Sequence, residues 1–168
     1  MLIRRETPED VQAITDVTEA AFAARPGGEA RLVTELRADA GWIPALSLVA
    51  EDPSGAVVGH VVCTRATVGG APALGLGPLG VRPDHQRRGV GKALVHAVLG
   101  AADALDEPLV ALLGDPEYYA RFGFRPAREC GVVSPDPEWG RYFQVRTLHS
   151  HRPDLRGRFR YAEPFERL

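Results

Sequence analysis

Residues 75–93 gather the groups that could hold a phosphorylated ligand: two glycine patterns and the cations Arg87, Arg88 and Lys92. Glycines let a backbone approach an anion closely, and the unpaired N–H groups at a helix N-terminus attract phosphate. Three readings of the stretch compete, and spacing separates them. Gly75-Leu76-Gly77-Pro78-Leu79-Gly80 satisfies G-x-G-x-x-G, but dinucleotide binding needs a helix to open at those glycines. Val81-Arg82-Pro83 continues extended instead, because the residue before a proline is pushed out of the α region. A P-loop at Gly91-Lys92 needs glycine at position 86 and a hydroxyl after the lysine, where the chain has Gln86 and Ala93. What is left is Gln86-Arg87-Arg88-Gly89-Val90-Gly91-Lys92-Ala93, a candidate diphosphate cradle whose backbone supplies geometry and whose cations supply charge. By itself the octapeptide reads equally as a glycine-containing strand-to-helix turn with solvated arginines.

The elements that must position this loop follow from periodicity. Leu2 to Arg5 is a short strand, and Thr7-Pro8-Glu9-Asp10 supplies a cap, a first-turn proline and early acids for a helix carrying Val11, Ile14, Val17, Ala21 and Phe22 inward. Arg25-Pro26-Gly27-Gly28 stops it, and a second helix covers Glu29 to Asp39. Leu46–Glu51 and Ala56–Val68 form a hairpin about Asp52-Pro53-Ser54-Gly55. Ala73 to Val81 is a further strand, and Gly77-Pro78 gives it a bulge. Gly89 to Leu105 carries one apolar stripe and is helical. Pro108–Leu113 is a buried strand, Pro116–Phe122 a helix of about two turns, and strands follow from Phe124 and over Tyr142–Leu148. Gly157–Leu168 offers a last strand and a cover for the core. The order is α+β with one central βαβ crossover, and length, without linker or repeat, makes 1–168 one domain.

Composition narrows the functions. With 45% apolar and 25% charged residues the chain is globular. Net charge is −2 and the pI near 6.2, which disfavours nucleic acid and anionic membranes as partners. No run is apolar enough for a membrane helix, and Met1 to Glu6 turns charged too early for a signal peptide. A soluble, cytoplasmic protein is expected. Cys63 and Cys130 read as buried thiols, outside any nucleophile setting or metal spacing.

Leu79-Gly80-Val81, the linker Arg82-Pro83-Asp84-His85 and Gln86-Arg87-Arg88-Gly89-Val90-Gly91 together resemble the GNAT superfamily of acyl-CoA-dependent N-acyltransferases. Its signature runs from an extended Leu-x-Val through an acidic linker to Q/R-x-x-G-x-G/A. Tyr119-Ala120-Arg121-Phe122-Gly123-Phe124 is similar to the family's Tyr-x-x-x-Gly-Phe. The resemblance covers roughly residues 1–150 and implies a mixed, mostly antiparallel central sheet with splayed fourth and fifth strands, flanked by about four helices. It implies acetyl-CoA as cosubstrate, no metal, and a small-molecule or peptide amine as acceptor, with a homodimer left open. Backbone groups of Leu79 and Val81, flanking Gly80, would bind the pantetheine arm, one amide acting as an oxyanion-hole donor. The backbone from Arg87 through Arg88, Gly89, Val90 and Gly91 to Lys92 would hold the pyrophosphate, with Gln86 and Ala93 flanking it. Tyr119 maps to the family's general acid.

An alkylammonium near pKa 10.4 needs roughly 4.6 kcal/mol to supply its neutral form at pH 7. Many relatives place a carboxylate on the fourth or fifth strand for this task, and neither Ala73–Val81 nor Pro108–Leu113 contains one. His60, His85, Asp115 and Glu117 are the available groups. The family's frequent asparagine before the last helix is replaced by Gly114-Asp115-Pro116. These departures keep a CoA-binding sensor or regulatory module as the alternative to an N-acetyltransferase working by direct transfer. His149 and His151 share a strand face without a third ligand, so a metal site is not expected. Arg156, Arg158 and Arg160 read as a solvated edge strand; Trp42 and Trp139 could line an acceptor pocket or pack, and packing is the favoured reading.

Overall fold

Residues 1–168 are all described by a computed structural model. Strand β1 (Leu2–Arg5) leads through a 3-10 turn (Pro8–Asp10) into α1 (Val11–Ala21). There the Asp10 carboxylate accepts the Thr7 N–H at 2.7 Å and is gripped by Arg4, which satisfies an orphan donor and fixes the helix entry. Then follow α2 (Glu29–Ala38), β2 (Ser47–Glu51), β3 (Val57–Val68), β4 (Ala71–Val81), α3 (Val90–Ala104) and β5 (Leu109–Leu113). The last part comprises α4 (Pro116–Tyr119) running into a 3-10 turn (Ala120–Phe122), β6 (Arg125–Pro126), β7 (Val132–Val133), β8 (Phe143–Thr147), β9 (Gly157–Arg160) and a 3-10 turn (Glu163–Arg167).

The sheet runs β1-β2-β3-β4-β5-β8-β6 with only β4–β5 parallel along that path. Strand β9 lies antiparallel to the end of β3 and parallel to β7. Period-two alternation divides the core between the two faces. Leu48, Ala50, Val61 and Cys63 meet Leu94, Val95 and Val98 of α3. Val49 meets Ile14 of α1 and Val33 of α2, and Val62 meets Leu32 and Leu36. Leu94, Val95 and Val98 are fully buried, and each contributes about 1.5–3 kcal/mol by leaving water. Together they hold the α3 N-terminus against the sheet; Leu94→Ala would cost about 2–5 kcal/mol.

The parallel β4-α3-β5 unit is the expected crossover. Three expectations differ from what is seen. The strand expected from Phe124 is only the pair Arg125–Pro126, because the left-handed turn at Gly123 and the 3-10 turn Ala127–Cys130 leave no room for more. His149 and His151 lie in a turn beyond β8 rather than on a strand, the His149 N–H being taken by Asp103 Oδ1 at 2.9 Å. Strand β9 is not an edge, since β3 and β7 flank it, although Arg156, Arg158 and Arg160 are exposed.

Candidate active site

On β3 and β4 the register passes from Val61 opposite Leu79 to Cys63 opposite Leu76. One residue on β3 therefore faces two on β4, Gly77 and Pro78, which is the bulge expected there. On the other edge β4 pairs with β5 only at Leu74–Val110 and Gly75–Ala111, so the two strands part as the bulge is reached. The Arg82 N–H donates to Val58 O at 2.9 Å, and alternate residues of an antiparallel ladder turn their main-chain groups to opposite sides. Gly80, opposite His60, thus serves β3, while the N–H and C=O groups of Leu79 and Val81 look into the gap left by β5. The Gln86 side-chain amide donates to Val81 O at 3.1 Å and ties the next loop to this free edge.

That loop carries Arg87 at φ +59° and Gly89 at φ +84°. Left-handed residues at alternate positions turn successive amides to one side and form an anion-binding concavity. Glycine adopts this conformation freely; for Arg87 it costs about 1 kcal/mol. The first helical bond of α3 runs from Ala93 N–H to Gly89 O at 2.9 Å, so the amides of Val90, Gly91 and Lys92 have no helical acceptor. They open on a cavity of about 510 Å³ whose walls include Val81, Gln86, Arg87, Gly89, Lys92, Tyr118 and Arg121. Arg88 and Ala93 stand outside these walls, Arg88 exposed beside them.

A second cavity, of about 480 Å³, occupies the gap itself and takes in Leu76 to Leu79, Leu112, Leu113 and Tyr119. Asp115 caps α4 by accepting the Glu117 N–H at 2.9 Å, and the helix turns Tyr119 inward. Its ring packs edge-on to Tyr118 at 4.9 Å and to Phe124 at 5.7 Å. A Cβ at Gly114 would lie 2.5 Å from the Tyr119 ring, so only glycine at the end of β5 leaves the ring this position. Burial pushes the Tyr119 phenol well above its ordinary value of 10.0. It stays protonated at every working pH and can donate a hydrogen bond, whereas full transfer of its proton is correspondingly harder.

None of the four available basic groups lines this cavity. His60 is 1% exposed and its Nε2 lies 2.8 Å from Ser47 Oγ, which in turn bonds the Glu6 carboxylate. Burial lowers His60 below its ordinary 6.5, so it is neutral. Burial alone would raise Glu6, but hydrogen bonds from His60, Arg37 and Ser47 outweigh it and hold the carboxyl at about 2. His85 sits between Asp84 and Asp52, Asp115 is spent on its cap, and Glu117 is exposed. Cys63 is buried with its thiol pushed far up by desolvation, in keeping with a packing role. No group of three or more His, Cys, Asp or Glu side chains is placed to hold a metal ion, and no helix is long and apolar enough to cross a membrane.

The cavity walls also hold Trp139, read from the sequence as a packing residue, and residues that sequence reasoning passed over: Glu29 at the start of α2, and Tyr161, Phe165 and Leu168 from the tail. Trp139 is therefore a wall residue as well as a packing one, touching Phe143 and Tyr161 at ring distances of 6.0 and 6.5 Å. Trp42 packs as expected, beside Leu32 and Leu36 with Arg37 over its ring. The one signal for the tail was its spacing of Phe159, Tyr161 and Phe165, which points aromatic rings at the sheet.

A mostly antiparallel sheet parted beside a bulge, with a free strand edge and a helix N-terminus opening on adjoining cavities, defines the class of acyl-CoA-dependent acyltransferases. Comparison with known proteins agrees. Residues 2–127 match the acetyltransferase (GNAT) domain family. The chain is 34% identical over its whole length to all of the uncharacterized N-acetyltransferase YhbS of Escherichia coli K12. It superposes on the crystal structure of Escherichia coli YhbS in complex with CoA with a TM-score of 0.91, at 32% identity and covering 99% of this chain and 92% of that one. A GNAT acetyltransferase from Brucella melitensis in complex with acetyl-CoA gives 0.80 at 34% identity, over 98% and 97% of the two chains. The chain belongs to the GNAT acetyltransferase family.

Proposed function

We propose that the protein is an N-acetyltransferase that moves an acetyl group from acetyl-CoA directly to a primary amine in a ternary complex. The observation that carries this reading is the run of two adjoining cavities along the free edge of β4: the free amides at the start of α3 open on one, the Tyr119 phenol on the other, and the outward-facing main chain of Leu79 and Val81 lies between them. Acetyl-CoA supplies an activated acyl group and a good thiolate leaving group. Its pyrophosphate fits the amides of Val90 to Lys92 and the charges of Arg87, Lys92 and Arg121; its pantetheine arm fits the open edge of β4. An amide there donates to the thioester oxygen, and one such donor contributes about 3–4 kcal/mol as charge develops. The neutral amine attacks the carbonyl carbon, the carbon–sulfur bond breaks, and Tyr119 donates a hydrogen bond to the departing sulfur. In balance, one ammonium and one thioester give one amide, one thiol and one proton released to solvent.

The absence of a carboxylate from β4 and β5 favours the alternative of a CoA-binding sensor without turnover. Thiol release over a panel of amines, run beside calorimetric titration with acetyl-CoA, separates the two. Acceptor-dependent release establishes the transferase; tight binding without release establishes the sensor; no binding removes both.

A further inference from the structure

Glu29 is the one charged side chain among the fourteen residues lining the cavity between β4 and β5. Its carboxylate accepts the Gly27 N–H at 3.0 Å, which fixes it at the mouth of the α1–α2 loop. It is absent from every ion pair of the protein: its neighbour Arg31 pairs with Glu35, and Arg167 with Glu35 and Glu163. An otherwise apolar chamber with one unpaired acidic side chain at its half-buried rim favours a monocation over an anion, because a carboxylate attracts an opposite charge and repels a like one. The wall facing the bulge is aromatic. Tyr161 and Phe165 are stacked with centroids 4.5 Å apart and planes at 29°, and Trp139 meets Tyr161 at 6.5 Å. Flat rings of this kind favour a flat apolar partner. The space is also limited. About 480 Å³ is near the lower end for ligand sites and is shared with the thioester end of the acyl donor. A second cation on the acceptor would find no counter-charge on these walls, and a carboxylate next to the amine would face Glu29.

Resting on the transferase reading above, we propose that the acceptor is a small primary amine with one ammonium and a flat apolar body. Glu29 holds the ammonium, and Trp139, Tyr161 and Phe165 hold the body. The test is steady-state thiol release by the full-length protein with 2-phenylethylamine, n-propylamine, 1,4-diaminobutane and phenylalanine as acceptors, beside calorimetry with acetyl-CoA. The expected kcat/KM for 2-phenylethylamine exceeds each of the others by about tenfold: n-propylamine and 1,4-diaminobutane lack the aromatic contact, and phenylalanine sets its carboxylate against Glu29. Glu29→Gln keeps the oxygen that accepts the Gly27 N–H; it should raise KM for 2-phenylethylamine about tenfold while leaving acetyl-CoA affinity unchanged. Phe165→Leu, chosen to keep the tail packed, should bring 2-phenylethylamine down toward n-propylamine. Equal turnover of 2-phenylethylamine and n-propylamine, or preference for 1,4-diaminobutane or phenylalanine, overturns this inference while leaving the transferase standing. Failure of acetyl-CoA to bind overturns both.

Discussion

Tyr119→Phe removes one oxygen from the gap and leaves its ring among Tyr118, Phe122 and Phe124, so folding stability should not change. The size of the kinetic effect follows from the environment of the phenol. At its ordinary value near 10, giving a proton to a thiolate near 8.5 already runs uphill by about 2 kcal/mol. Burial raises the Tyr119 phenol further, which makes complete transfer steeper still. Its contribution is then a hydrogen bond to a charged sulfur, about 1.5–3 kcal/mol, and its loss should lower kcat by about 10- to 150-fold. Thiol release measured at saturating amine reads kcat, and calorimetry reads acetyl-CoA affinity, which should stay within about twofold. The wild-type enzyme should also show no fall in kcat from pH 8 to 10, since the phenol does not ionise in that range. An unchanged kcat would remove Tyr119 from the chemistry, and an equal loss of acetyl-CoA affinity would make it a binding residue.

Gly114→Ala places a methyl group 2.5 Å from the Tyr119 ring, so it should turn the ring aside and reproduce most of the Tyr119→Phe loss in kcat; a crystal structure with the ring unmoved would refute this. Arg87→Gly relieves the left-handed strain at φ +59° and should stabilise the fold by up to about 1 kcal/mol, read by thermal unfolding. The same change should weaken acetyl-CoA severalfold at low salt and less at high salt. Acid should destabilise the fold in two windows. His60, held below its ordinary 6.5 by burial, contributes stability that is complete above that pH and declines as pH falls beneath it. Glu6 and Asp10, both held at about 2, add stability that is complete above about pH 4.5 and is lost on the way down to about 2. In each window the unfolded chain binds more protons, so denaturant titrations should show stability falling with pH. Glu6→Gln should cost about 1.5–3 kcal/mol at neutral pH, because it removes the charge from a part-buried pair with Arg37, and should flatten the lower window.

The parts of the fold legible in the sequence are those whose signals are local. The stripe of α3, the alternation of β2 and β3, and the proline and glycines of β4 each specify their element within a few residues, and the structure places them within one or two positions of expectation. Legibility fails between Phe122 and β8. There Gly123, Gly131 and Gly140 take left-handed conformations and cut the chain into pieces of two to six residues, too short for either period to register. Strand β9 is settled by its partners: pairing with both β3 and β7 turns what reads as an alternating arginine edge into an interior strand.

The site divides along the same line. Its proposed acyl-donor half is made of main chain, and main-chain geometry is dictated by residues adjacent in sequence: a bulge at Gly77-Pro78, a left-handed Gly89, a helix that starts at Val90. Reading residues 75–93 in order is enough to find it. The proposed acceptor half is made of side chains brought together from positions 22, 29, 139, 161 and 165, and no spacing rule connects them. They meet because α2 is strapped to the final turn by Arg167 on Glu35 and Arg31 on the Arg167 carbonyl, and because β9 delivers Tyr161 and Phe165 across the sheet. A half held by long-range contacts can change residue by residue without disturbing the donor half, since the two share only the bulge of β4 and Tyr119. One scaffold of this kind can therefore keep a fixed acyl donor while its acceptor varies, and in the proposed reading Glu29 and the tail aromatics set this chain's choice of amine.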